Sequence, residues 1–279
     1  MNLHVIDTGF FKLDGGAMFG VVPKVLWSKH IAADENNLCN WAARCLLVEE
    51  GNRLILIDTG LGDKQSEKFF GYYFRSGEAT LYSSILKAGF HPSDVTDVIL
   101  THLHFDHVGG AVRRDDDRLV LSFPNAQYWS NSDQWKWANH PNPREKASFL
   151  PENILPIQES GHLKFIEKSQ SPFKHISFLH VNGHTEQMLL PLIDMNGKKF
   201  LFAADLFPSS VHIPIAWVMA YDVRPLLSME EKKEVLDQVV EEDITLIFEH
   251  DATWEAATVK RGERGIIIDT RGKLNEYLP

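Results

Sequence analysis

The hydrophobic positions of this chain fall into short runs that end on polar, chemically active residues. Residues 45–48 form one apolar run, Glu49-Glu50-Gly51-Asn52 follows, and residues 53–57 form a second run ending on Asp58-Thr59-Gly60. Two short apolar runs around a Gly-Asn pair predict a hairpin. The pattern returns at residues 188–193, Met195-Asn196-Gly197-Lys198 and residues 200–204, ending on Asp205. Asn-Gly is the strongest short-range hairpin signal. A further run in each half delivers a histidine: residues 95–100 lead through Thr101 to His102, and residues 244–249 lead to His250. The echo predicts two sheets on a similar plan, each presenting polar side chains from its strand ends.

Helical spacing appears between these runs. Residues 80–88 carry Leu81, Ile85 and Leu86 on one face, with Gly89 placed to end the helix. Ser228 and Glu231 have the spacing of a capping box ahead of Val235, Leu236, Val239 and Val240. Residues 132–139 read as a short helix. Residues 3–6 predict a first strand. Gly15, Gly16 and Gly20 then predict a shaped loop over residues 10–27, in which Met18 and Phe19 are candidates for an apolar pocket wall. Residues 124–172 are rich in Trp, Asn, His and Pro, show no clear strand, and read as an insert or loop region. No composition shift marks a linker, so one domain over residues 1–279 is expected.

Composition narrows the function classes. With 44% hydrophobic residues the chain can bury a sizeable core. A formal net charge of −10 disfavours nucleic acid as partner. No run approaches the ~20 apolar residues that span a bilayer, and the start lacks the features of a secretion signal. Cys39 and Cys45 are the two cysteines, too few for a disulfide framework. A cytoplasmic protein is expected, with Cys45 in the core rather than on a metal. The expected partner is a small-molecule substrate, with neither nucleic acid nor membrane; a homodimer is left open.

The candidate chemistry is concentrated in Thr101-His102-Leu103-His104-Phe105-Asp106-His107-Val108-Gly109-Gly110. Imidazole and carboxylate are ligands that zinc and similar divalent ions prefer. In an extended segment His102 and His104 point the same way, so one ion can take both. Beyond Phe105 the chain must bend, which lets Asp106 and His107 aim at a second ion. No Ser/His/Asp triad is evident.

This motif resembles the signature of the metallo-β-lactamase superfamily, and the resemblance extends over nearly the whole chain. It implies an α/β fold, a four-layer αββα sandwich of two mixed sheets flanked by helices. It also implies a dinuclear centre completed by His184 of Asn182-Gly183-His184-Thr185, by Asp205 and by His250. On that pattern His102, His104 and His184 hold one ion, Asp106, His107 and His250 hold the other, and Asp205 bridges both. Two divalent ions are expected, zinc first, with manganese, iron or cobalt also suited to such donors. Asp58 is expected to orient a ligand imidazole or the loop after Thr101.

Departures from subgroup patterns bear on the substrate. His104 stands where flavodiiron proteins carry Glu, Phe105 where ribonuclease Z-like enzymes carry Gly, and His107 is unlike the commonest zinc β-lactamases. An apolar Phe105 is similar to acyl-homoserine lactonases. Pro208, three residues after Asp205, stands where the best-known lactonases have Tyr and resembles the methyl parathion hydrolase and related lactonase branch. His212 or Tyr221 is the expected replacement for that hydroxyl, and Phe207 joins Met18, Phe19 and Phe105 as a wall candidate. The resemblance implies a lactonase with phosphotriesterase side activity, acting through a metal-bridging hydroxide, with catalytic roles for Asp106 and Asp205. The alternatives are a thioesterase resembling glyoxalase II and a metal-binding protein without turnover.

Overall fold

The computed structural model describes residues 1–168 and 171–279; Ser169 and Gln170, within the 124–172 segment, lie outside the described residues. The chain forms two compact units, Met1–Gly9 with Ala43–Lys174, and Phe10–Ala42 with His175–Pro279.

The sheet of the first unit has the order β1-β2-β3-β4-β7-β8. Its strands are β1 (Asn2–Asp14), β2 (Leu38–Glu50), β3 (Arg53–Ile57), β4 (Asp97–Ile99), β7 (Gln127–Ser130) and β8 (Leu163–Phe165), and β1 and β2 each run on into the second unit. A separate hairpin, β5 (Val112–Asp115) with β6 (Arg118–Leu121), follows the metal-ligand motif. β2 and β3 pair antiparallel across the Gly51 turn, and β4 then joins β3 in parallel. Alternation sends Cys45 and Leu47 of β2, Leu54 and Leu56 of β3 and Val98 of β4 into one apolar cluster. Leu81 and Ile85 of the helix Leu81–Lys87 pack into the same cluster. That helix is capped by Thr80 and Ser83, and Gly89 leaves it at φ +94.

The sheet of the second unit has the order β14-β13-β12-β11-β10-β9. Its strands are β9 (Ile176–Val181), β10 (Met188–Met195), β11 (Lys198–Phe202), β12 (Thr245–Ile247), β13 (Ala256–Gly262) and β14 (Gly265–Gly272). Asn196 and Gly197 turn β10 into β11 with positive φ of 56 and 90, as a tight hairpin turn demands. β12 joins β11 in parallel. Each unit therefore contains a hairpin followed by a parallel third strand. The ends of β3, β4, β11 and β12 lead directly to Asp58, Thr101-His102, Asp205 and Glu249-His250.

Three stretches differ from the sequence expectation. The glycine-rich residues 10–27 are not one loop: β1 continues to Asp14, and helices Gly15–Phe19 and Lys24–Trp27 follow. Asp14 caps the first by accepting Ala17 N–H at 2.8 Å. Gly15 is needed for packing, since a Cβ there would lie 2.4 Å from the Trp27 ring. The helix Pro225–Glu241 begins before Ser228, so no capping box forms; Glu231 instead accepts the N–H groups of Asn182 and Gly183 at 2.6 and 2.9 Å. Residues 124–172 are not strandless. They add β7 and β8 to the first sheet around helices Ser132–Asn139 and Pro151–Glu159, in strands too short to carry a clear pattern.

Candidate metal centre

In the first unit the motif is built by a change of backbone direction. Residues 100–104 follow β4 outside any strand, and His104, itself extended (φ −64, ψ 151), is the N-cap of a one-turn helix, Phe105–Val108. His102 Nε2 and His104 Nδ1 lie 3.1 Å apart, and the helical turn carries Asp106 and His107. His107 Nε2 lies 3.9 Å from Asp106 Oδ2. The two glycines that follow are required by a backbone approach. A Cβ on Gly109 would lie 2.1 Å from Leu61 O, and one on Gly110 would lie 2.2 Å from Thr59 O. The motif is thus pressed onto residues 58–62, with Thr59 N–H and its hydroxyl donating to His107 O at 2.8 and 2.9 Å. Lys64 donates to Gly109 O, and burial lowers its pKa to about 8.

In the second unit the remaining donors meet around one carboxylate. Asp205 lies in the 3-10 turn Ala204–Leu206 after β11. Its Oδ2 is 3.2 Å from His184 Nε2, and its Oδ1 is 3.2 Å from His250 Nε2. His184 is held by its loop, where Val223 N–H and Arg224 N–H donate to His184 O and Gly183 O at 3.2 and 2.8 Å. A side chain at Gly183 would strike Ser228 at 2.3 Å.

The far nitrogen of each histidine decides what the near one can do. His250 Nδ1 faces Ala42 O at 2.8 Å, so it must donate, and its Nε2 keeps a lone pair. His184 Nδ1 donates to Asp222 Oδ1 at 3.0 Å, and His107 Nδ1 to Asp58 Oδ2 at 3.1 Å. Thr101 spends its hydroxyl proton on Asp58 Oδ2 at 2.6 Å, so its oxygen accepts from His102 Nδ1 at 3.1 Å. His104 Nε2 faces Glu145 Oε1 at 3.3 Å. In their neutral form His102, His107, His184 and His250 thereby carry the lone pair on Nε2. Holding the second nitrogen on an oxygen acceptor is the usual arrangement of a metal-binding histidine.

The donor set also fits divalent metal by distance. Two atoms bound to one zinc ion at about 2.0–2.1 Å lie roughly 3–3.4 Å apart at ordinary coordination angles. The His102–His104 edge and both edges of Asp205 match that spacing. Buried His and Asp donors able to hold metal ions occur in both units.

The apolar candidates divide. Phe105, 7% exposed, packs on Phe69 and Tyr73 with ring centroids 5.2 and 4.6 Å away. Burial, with the nearby Asp106 charge, pushes the Tyr73 phenol up to about 12, so its hydroxyl stays protonated. Phe19 and Phe207 are fully buried and Met18 nearly so. Phe19 stacks between Trp27 and His212 at 5.1 and 4.7 Å, and the Lys232 ammonium lies 5.5 Å from the Phe207 ring. His212 does not offer a substrate the expected hydrogen bond. Its Nε2 donates to Met18 O at 2.9 Å, its Nδ1 meets Ser209 Oγ at 2.8 Å, and burial lowers its pKa to about 3. Tyr221 is 38% exposed. Sequence reasoning missed Asp222 and Glu145, which stand 38 and 41 positions from the imidazoles they hold and have no motif of their own.

The sequence profile of the metallo-beta-lactamase superfamily matches residues 41–250. An N-acyl homoserine lactonase of Bacillus cereus is 25% identical over 239 residues, covering 78% of this chain and 85% of that protein. A solved structure of a probable metal-dependent hydrolase from Staphylococcus aureus is 32% identical, with a TM-score of 0.89 over 97% of this chain and 96% of that one. A dizinc quorum-quenching lactonase, solved with its product N-hexanoyl-L-homoserine, has a TM-score of 0.79 at 23% identity, over 96% and 93% of the two chains. These structures share the fold described above. Among the described residues no helix is long and apolar enough to cross a membrane.

Proposed function

The chain belongs to the metallo-beta-lactamase superfamily, as a metal-dependent hydrolase, and from that premise we propose that it opens lactones of the N-acyl homoserine type at a dinuclear centre. The observation that carries the reading is the carboxylate of Asp205, whose two oxygens address two different histidines at 3.2 Å each. Such a carboxylate is suited to be shared between two ions. His102, His104 and His184 would hold the first ion, Asp106, His107 and His250 the second, and Asp205 both. The family match runs through residues of both units, so we read residues 1–279 as one functional domain. Zinc suits this donor set, and manganese, iron or cobalt would also be accepted.

When bound, the two ions supply a hydroxide at neutral pH and Lewis-acid polarisation of the substrate carbonyl. The chain's own residues do the rest. Asp58, Glu145, Asp222 and the Ala42 carbonyl hold the ligand imidazoles in their orientation through the nitrogen that faces away from the ions. Asp106 can carry a proton to the leaving alkoxide. Phe105, with Phe69 and Tyr73 behind it, offers an apolar wall beside Asp106 for the acyl chain. Phe207, Met18 and Phe19 support the site from their packed positions, and Tyr221 is the exposed candidate for a substrate contact. Phosphotriester hydrolysis would be a side activity of the same centre.

Initial rates of metal-loaded protein on acyl-homoserine lactones, thioesters and phosphotriesters test this. The highest kcat/KM is expected on lactones. A thioester preferred by tenfold or more would overturn the assignment.

A further inference from the structure

The pair His102 and His104 can exist in two forms, and one of them is closed to metal. With Nε2 and Nδ1 3.1 Å apart, the two nitrogens can both keep lone pairs and share an ion. Alternatively, a proton on His104 Nδ1 can bridge to His102 Nε2, and both ligand atoms are then consumed in one hydrogen bond. We infer that Glu145 is the positioning residue that selects the open form, by holding the single proton of His104 on Nε2. The inference rests on the reading of His102 and His104 as ligands.

The surroundings of Glu145 make this selection one-sided. The side chain is 3% exposed, and its Oε1 lies 3.3 Å from His104 Nε2. Its other oxygen is claimed by donors that cannot reverse. Trp137 Nε1–H, a donor only, reaches Oε2 at 2.7 Å. Asn142 Nδ2 reaches Oε2 at 2.6 Å, and Asn142 cannot flip, because its Oδ1 accepts Arg144 N–H and Glu145 N–H at 2.9 and 3.1 Å. The same segment grips the ligand from two more sides. Ser148 O accepts Phe105 N–H at 2.9 Å, and the Phe149 ring lies 4.8 Å from the His104 ring. Residues 142–149 thus form a clamp on the metal loop, a role for part of the 124–172 segment.

The isosteric change Glu145→Gln should invert the arrangement. Trp137 and Asn142 both require an acceptor, so the amide oxygen takes their side and the NH2 group faces His104 Nε2. That nitrogen must then accept, and the proton moves to Nδ1, where it bridges to His102. Long-range proton–nitrogen NMR of metal-free protein, about two pH units above the ordinary imidazole pKa of ~6.5, reads the tautomer directly. The wild type should show His104 protonated on Nε2, and Glu145→Gln should show it on Nδ1. Zinc titration against a competing chelator should show one of two equivalents weakened ~10- to 100-fold in the variant. Glu145→Ala, which removes the acceptor outright, should shift the tautomer in the same direction. A wild-type His104 protonated on Nδ1, or a Gln variant with unchanged tautomer and zinc affinity, would overturn the inference. If the wild type binds no zinc while the tautomers behave as stated, the proposed centre fails and the proton lock stands.

Discussion

His107 Nδ1 and Asp58 Oδ2 lie 3.1 Å apart, with both side chains fully buried. The same carboxylate accepts the N–H and the hydroxyl of Thr101 at 2.8 and 2.6 Å, and through that hydroxyl it also sets His102. Asp58 adopts φ +57, a left-handed conformation that Asp tolerates better than most residues, at the point where β3 ends. Asp58→Ala would leave three buried donors without their acceptor. A loss of about 2–5 kcal/mol in unfolding free energy is expected, with weakened metal binding. Denaturant unfolding of the metal-free variant checks the first effect, and parental stability would contradict it.

Truncating Phe105 tests the apolar wall. The wall stabilises bound substrate and transition state alike, so Phe105→Ala should raise KM more than it lowers kcat. Losing the burial of one aromatic ring is worth up to about 1.5–3 kcal/mol, so KM for long-chain lactones should rise ~10-fold or more, and less for short chains. KM measured against chain length decides it. A flat profile accompanied by lost metal would make Phe105 a brace for the metal loop instead.

Lys232 predicts a pH dependence of stability. Its ammonium is buried and donates to Pro214 O and Trp217 O at 2.9 and 2.8 Å. Burial lowers its pKa to about 7, against about 10.4 for an unfolded lysine. Between those values the unfolded chain binds the extra proton, so this group makes stability rise with pH, by up to ~1.4 kcal/mol per unit. Below about pH 7 the full cost of burying the charge is present. The stability difference between wild type and Lys232→Met should therefore move in favour of the wild type from pH 7 to 10. A difference that stays constant over that range would contradict the buried-charge account.

Legibility followed the range of each signal. The hairpin turns at Gly51 and Asn196-Gly197 and the helix end at Gly89 are local, and their residues state them directly. The short strands that place His102 and His250 were legible because each lies in a short, mostly apolar run. Residues 10–27 misled because Gly15 is a packing glycine beneath Trp27, a contact between residues 12 positions apart that composition does not reveal. Ser228 and Glu231 had the spacing of a cap, but Glu231 is spent on the loop that carries His184. Asp222 and Glu145 were invisible because only tertiary structure brings a lone carboxylate to an imidazole.

Asp205→Asn probes the shared carboxylate chemically. An amide is neutral and bridges two cations poorly, so kcat should fall at least ~10²-fold while the fold is retained. Near-native turnover in the metal-replete variant would remove Asp205 from the mechanism.

Elemental analysis of metal per chain, after reconstitution with excess zinc and removal of loosely bound ions, tests the dinuclear centre most directly. Two equivalents are expected for the wild type, falling to about one in His102→Ala and in His250→Ala, because each removes a ligand from a different proposed set. A wild-type protein that never holds more than one equivalent would contradict the account.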